Sequence, residues 1–392
     1  MATITKDLFD ILPAFSEDSE RSAERAGTSA DIQSLLQSAF DAPENYPPLS
    51  ESIFPGDRIA ILVQNGLPAA RETLQALIAV LEKARIETQD ILVVVPPTMK
   101  STFELVAHAD ADPESKTPAT FRMESDNRPE ALRFEVHVTD DEQTVSYLAA
   151  NKQGNPVYVN RSLCDSDVIL PLSCMTPGDK HSDCLYPEFS TDEIRARYRK
   201  KEDSSKQRIA EAELANDSLG LFFSIELICS PGEVIEDIVC GSRSRAREIA
   251  SDRLKPLWEI EPADGSDVVV TTLESSGDSA SWSNLVRAVT AAANLVEDGP
   301  IIVWSGLSQK PTAKIKQACA AQFEGSVPDS LSKRLQHFAS ILCERPVYLK
   351  SRLSQNVVEG LGIGFIESTE SAQRILRTFS QPLLVRDGHL RG

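Results

Sequence analysis

The 392-residue chain has no two cysteines at C-x-x-C spacing. Its seven (Cys164, Cys174, Cys184, Cys229, Cys240, Cys319 and Cys343) are an odd number at scattered positions, which speaks against a disulfide framework and against the paired knuckle of a structural zinc site. Reduced thiols in a cytoplasm fit that pattern better. No stretch approaches the roughly 18 consecutive apolar residues of a membrane helix. The opening MATITKDLFDILPAF lacks a basic segment ahead of a long apolar one, so no secretory leader is expected and the location is read as cytoplasmic. Basic residues are outnumbered, 40 against 59, and a net charge of −19 argues against nucleic acid or an anionic membrane as partner. Neither G-x-G-x-x-G nor G-x-x-x-x-G-K-[ST] occurs, so no nucleotide fingerprint is present.

What is there is length, and a 41% hydrophobic share that can fill more than one core. Residues 1–50 read as a polar extension with one amphipathic helix at ADIQSLLQSAF. The run DRIAILVQNG then has the pattern of a buried parallel strand ending in turn residues. The helical period of RETLQALIAVLEKARI puts Leu74, Leu77, Ile78 and Leu81 on one face, and DILVVVPP is a second buried strand. Strand, helix, strand within some forty residues makes a right-handed βαβ unit. NPVYVNRSL and SDVILPLSC add strands, TDEIRARYRKKEDSSKQRIAEAE is a charged, solvent-facing helical stretch, and SIELIC with EDIVCG forms a hairpin around SPGE. A second α/β unit follows from about residue 261, with strands at DVVVTTL, GPIIVWSG, RPVYLKS and PLLVRD. The expected fold class is α/β: an extension to residue 50, one α/β domain over 51–260 and another over 261–392, with parallel-rich sheets and a cleft between the domains.

One stretch concentrates reactive side chains, CMTPGDKHSDCLYPEF, from Cys174 to Phe189. Cys174, His181 and Cys184 with an aspartate offer thiolate, imidazole and carboxylate donors for zinc. Their spacing, six and two intervening residues, matches no closed zinc motif, and Cys174 ends a buried strand where a thiol is usually core. A structural loop is the favoured reading, with no metal. Asp179, Lys180 and His181 nevertheless leave the C-terminal end of a parallel strand, where α/β proteins bind ligands. Thr98, Lys100, Ser101 and Thr102 follow another strand end and either hydrogen-bond an anion or cap a helix at FELVAHA; the cap is favoured. Asn65-Gly66 reads as a tight turn, and Arg287, near Leu285, Val289 and Ala292, as a solvated helix face or the partner of a substrate carboxylate. His137 alternates with Val136 and Val138 and reads as structural or exposed.

Over residues 57–392 the chain resembles the nickel-pincer lactate racemase family, LarA. The likeness lies in DRIAILVQNGLP, DILVVVPPTMKST, FEVHVTDDEQTVSYL, the GNPVYVNRSLCDSDVIL stretch and DVVVTTLESSGDSASWSNLVRAVTAAANLVEDGPIIVWSG. It implies two α/β domains around a cleft, and a nickel-pincer nucleotide tethered to a lysine with histidine as fourth ligand. It also implies two histidine bases that serve hydride transfer at the α-carbon of a 2-hydroxy acid.

Residue by residue, the family's motifs are altered here. The substrate-binding positions fall on Asn65, Thr98 and Arg287, with threonine in place of the first base. The second base falls near Asp179, with His181 as the shifted alternative. The tether falls on Ser182, with Lys180 as its alternative, and the nickel histidine around Tyr198. The reading is therefore a racemase-like isomerase scaffold with the chemistry degenerate and no cofactor held, unless the family activity is retained with its nickel-pincer nucleotide. The alternative is a non-catalytic ligand-binding or regulatory pseudoenzyme, and the expected partner is a small anionic molecule such as a 2-hydroxy acid.

Overall fold

Strand β1 (Ile59–Val63) is buried at every residue, as IAILV requires of a strand covered on both faces. In this computed structural model, which describes residues 29–107, 120–123, 132–138, 144–177, 184–200, 204–259, 265–273, 281–296 and 298–391, it pairs in parallel with β2 (Ile91–Val95) and β8 (Val168–Cys174). Around this centre runs an eight-stranded sheet in the order β10-β9-β8-β1-β2-β5-β4-β3. Its remaining strands are β3 (Leu105–Ala107), β4 (Thr120–Met123), β5 (Arg133–Val136), β9 (Phe223–Ser230) and β10 (Val234–Ser242). The β9–β10 pair is the antiparallel hairpin expected around SPGE. A separate hairpin joins β6 (Val145–Ala150) to β7 (Pro156–Asn160).

The second sheet is parallel throughout, in the order β14-β13-β12-β11-β15. It comprises β11 (Val268–Leu273), β12 (Ile301–Ser305), β13 (Val347–Lys350), β14 (Gly364–Phe365) and β15 (Pro382–Val385). Two α/β domains with parallel-rich sheets result.

Helices cover both faces of each sheet. On one face of the first, α1 (Ser29–Asp41) and α2 (Ala70–Lys83) close a core with Leu74, Leu77 and Leu81. Ile32, Leu36 and Phe40 of α1 are almost fully buried, so the span read as an extension contributes a core helix. On the other face lie α3 (Asp192–Lys200), α4 (Ser205–Leu219) and α5 (Arg243–Trp258). The charged stretch is thus not wholly solvated: Ile194, Ala212, Ala215 and even Glu211 are buried. The second sheet carries α6 (Trp282–Ala293), α7 (Ala313–Glu324) and α8 (Lys333–Glu344) on one face and α9 (Thr369–Leu376) on the other.

A helix at FELVAHA does not form. A 3₁₀ turn at Pro97–Met99 is followed by turn residues and by β3, whose edge pairs with β4, so Ser101 and Thr102 cap nothing. No helix among the described residues is long and apolar enough to cross a membrane.

Candidate functional site

Open parallel sheets bind ligands beyond the strands' carboxyl ends, where the strand order reverses. In the first sheet that reversal lies between β8 and β1, and in the second between β11 and β15. Both reversal points open into one cavity of about 330 Å³ between the domains. Gln64, Asn65 and Gly66 enter it after β1, and Cys174 and Met175 at the end of β8. The turn of the β9–β10 hairpin adds Glu233. The second domain supplies Asn284 and Arg287 from α6, and Asp387 and His389 from the segment after β15.

The first-domain wall is held by hydrogen bonds at the strand ends. Gly66 takes φ +72°, the left-handed turn read from Asn-Gly. Thr98 Oγ1 donates to Asn65 Oδ1 at 2.7 Å, tying the loops after β1 and β2 together. Gln64 Oε1 accepts the Cys174 N–H at 2.7 Å, so the reversal point itself is bridged.

Across the cleft, Asp387 is buried in a left-handed conformation at φ +50°. Its N–H donates to Thr272 Oγ1 (3.2 Å), and its Oδ2 accepts the Gly232 N–H of the opposite hairpin at 2.9 Å. Gly232 takes φ +85°, where a side chain is strained, and packs beside the Arg386 guanidinium. Arg391 Nη1 donates to the Trp258 carbonyl (2.7 Å), and the guanidinium lies 5.3 Å from the Trp258 ring centroid. Trp258 Nε1 in turn donates to the Cys229 carbonyl at 2.8 Å. Burial lowers Arg391 to about 10, against the opposing pull of Asp387. These contacts latch the second domain onto the first along the rim of the cavity.

His389 is 2% exposed. Burial lowers its pKa, Asp387 opposes that shift and Arg287 adds to it, so the imidazole is neutral near pH 7. A neutral imidazole beside a half-buried guanidinium can accept a hydroxyl hydrogen bond while the guanidinium takes a carboxylate.

Of the residues singled out in the sequence, Asn65 and Arg287 meet at this cavity, and Thr98 touches Asn65. Arg287 is therefore not on a solvated helix face; it looks into the cleft. Asp179, Lys180, His181 and Ser182 lie outside the described residues. Cys184 lies with its Sγ 3.7 Å from the Leu62 carbonyl, and the Cys174 thiol meets Cys229 instead. Among the described residues no group of three or more His, Cys, Asp or Glu is placed to hold a metal. His137 is fully buried, a structural residue rather than an exposed one.

Tyr198, near which the sequence resemblance places the nickel ligand, is committed elsewhere. Its hydroxyl donates to Glu211 Oε2 at 2.9 Å, and Tyr186 packs edge-on against its ring. Arg197 and Asn151 fill the rest of the Glu211 carboxylate. Burial, reinforced by Glu211, raises the phenol far above its usual range, so it stays protonated and does not fit a metal-ligand role.

Sequence reasoning missed Gln64, Asn284, Asp387 and His389. For Asp387 and His389 a signal was available: Asp-Gly follows the strand PLLV after one residue, Arg386, the kind of strand end to which the ligand rule was applied elsewhere. A larger groove of about 760 Å³ runs between α4 and α5, but Arg243, Arg247 and Lys255 are mixed there with Glu213, Asp217 and Glu248. It shares Met175 with the interdomain cavity but takes no residue from the second domain, so the interdomain cavity is the better candidate.

Fold and cleft define the class: a two-domain α/β protein with a cavity between opposed strand ends. Compared by sequence, the chain matches no protein-family model and no curated protein. Compared by structure, it is similar to the lactate racemase apoprotein from Thermoanaerobacterium thermosaccharolyticum, at 12% identity over 91% of each chain, with a TM-score of 0.54. A Thermotoga maritima protein aligns over 87% of this chain and 92% of its own at 14% identity, with a TM-score of 0.47, too low to add to the comparison. The fold is lactate-racemase-like, and at such identity the likeness concerns fold alone.

Proposed function

We propose that this lactate-racemase-like chain binds a small carboxylate, such as a 2-hydroxy acid, in its interdomain cavity without the hydride chemistry of a tethered nickel cofactor. The observation that carries the reading is Arg287, which faces a cavity of about 330 Å³ together with neutral His389 and the amides of Asn284 and Asn65. That volume is at the small end of ligand sites. A guanidinium offers a carboxylate two parallel donors, and the imidazole and amides suit an α-hydroxyl. Two features speak against the ancestral reaction. The Thr98 hydroxyl, at the position the resemblance gives to one base, spends its hydrogen bond on Asn65 Oδ1, and the Tyr198 phenol is tied to Glu211.

Calorimetric titration with 2-hydroxy acids, beside matched alcohols lacking the carboxylate, tests the binding. The acids are expected to bind and the alcohols not. Arg287→Ala should weaken the acids by about 10- to 100-fold, the worth of a charged hydrogen-bonded pair. Equal binding by wild type and variant overturns the role of Arg287. Co-expression with a pincer-cofactor biosynthesis pathway tests the chemistry: the expected product has no nickel and an unmodified mass. Stoichiometric nickel with a covalent mass increase would restore the racemase reading, with Lys180 the first residue to mutate.

A further inference from the structure

Two cysteines stand in thiol contact in the wall of the cavity. Cys174, the last residue of β8, and Cys229, near the end of β9, have sulfurs 3.5 Å apart, with Cys174 donating. The strands are parallel neighbours in which Cys174 faces Leu227, so Cys229 is the next residue of β9 on the same side. A disulfide needs its sulfurs at about 2.05 Å, leaving about 1.5 Å to close. The strand register with β9 ends at Cys174, although the Met175 N–H still bonds the Leu227 carbonyl at 3.3 Å, so closure comes from side-chain rotation with a small shift of the two strand ends. Each residue is under a tenth exposed, yet both line the cavity, so a small molecule such as a peroxide reaches them through the cleft.

We propose that Cys174 and Cys229 form a site of reversible oxidation, closing to a disulfide in the cleft wall on reaction with hydrogen peroxide. The Cys174 thiol gives up the proton it directs at Cys229, and the thiolate so formed attacks one peroxide oxygen as the O–O bond breaks. Cys174 becomes a sulfenic acid, and the other oxygen leaves as water after taking up a proton. The Cys229 sulfur then attacks the Cys174 sulfur. The S–S bond forms, the S–O bond breaks, and the hydroxyl departs as a second water with the Cys229 proton. Two thiols lose two electrons and one peroxide gains them; a small dithiol reverses the change by thiol–disulfide exchange.

The order of events follows from the pair's setting. The hydrogen bond with Cys174, and burial behind it, raise the Cys229 thiol well above its ordinary range, so Cys229 keeps its proton and resolves rather than attacks. Closure does not stay local. The Cys174 N–H is bonded to Gln64 at the floor of the cavity, and the Cys229 carbonyl accepts from Trp258 at the domain latch.

The test is peroxide treatment of the reduced full chain, followed by unfolding, alkylation and peptide mapping. Cys343 is exposed and reports that the oxidant acted. The expected result is a peptide pair cross-linked through Cys174 and Cys229 with the loss of two hydrogens, regained after a dithiol. In Cys229→Ser the resolving sulfur is gone, and a dimedone adduct should accumulate on Cys174, at least tenfold above wild type. Oxidised Cys343 beside fully alkylated Cys174 and Cys229 overturns the proposal. So does separate over-oxidation of the two without a cross-link. Neither result bears on carboxylate binding by Arg287, which the titration measures in reduced protein.

Discussion

Asn160 holds two titratable side chains inside the first domain. Its amide nitrogen donates to Glu135 Oε1 at 2.5 Å and lies 3.3 Å from His137 Nδ1, while Ser162 donates to Glu135 Oε2. His137 Nε2 sits 2.9 Å from the Ser190 carbonyl, so the proton is on Nε2 and Nδ1 accepts. Replacing Asn160 by Ala strips both partners of this donor and removes the cap on the Leu163 N–H. A loss of about 2–4 kcal/mol is expected in urea denaturation. Burial lowers the pKa of His137 below its ordinary 6.5, so the neutral ring's share of stability is present above that pH and is lost as pH falls below it. Glu135, raised by burial, has the opposite sign: protonation in acid favours its folded form. His137→Gln should flatten the decline in stability below pH 6.5, which denaturation curves taken on either side of that pH will show. The alternation in FEVHV tells that His137 points away from Val136. It does not tell that Asn160 and Ser190, 23 and 53 residues further on, arrive to bury it.

At the scale of elements, the apolar runs IAILV, ILVVV, VVVTTL and IIVWS form strands because nothing but a doubly covered sheet can hide them, and that much is legible in the chain. FELVAHA misleads because a short apolar run fits either period, and pairing with β4 decides for a strand. The outer side of β10 shows another non-local demand. Gly241 stands at φ +145°, where a Cβ would lie 2.2 Å from the Glu44 carbonyl oxygen. That close approach lets residue 44 bond Cys240 and Ser242 on either side of the glycine. Gly241→Ala is expected to cost about 2 kcal/mol or more by thermal unfolding. Gly154→Ala, which has positive φ but open space around it, should cost less.

For the whole molecule, two α/β units follow from the order of strands and helices, but the faces they present to each other do not. The pairing of Asn65 with Arg287 across one cavity depends on how two separate sheets dock, which no local period encodes. The latch on the rim has a kinetic meaning. The Gly232 N–H is bonded by Asp387 from the other domain, so its exchange with solvent is slowed while that contact between the two bodies holds. That single amide is a clock for the opening of the cleft. Arg391 touches it nowhere, yet holds the same rim through Trp258. Arg391→Ala should therefore quicken deuterium uptake at Gly232 by about tenfold, the worth of a charged hydrogen bond, while amides in β1 keep their own pace.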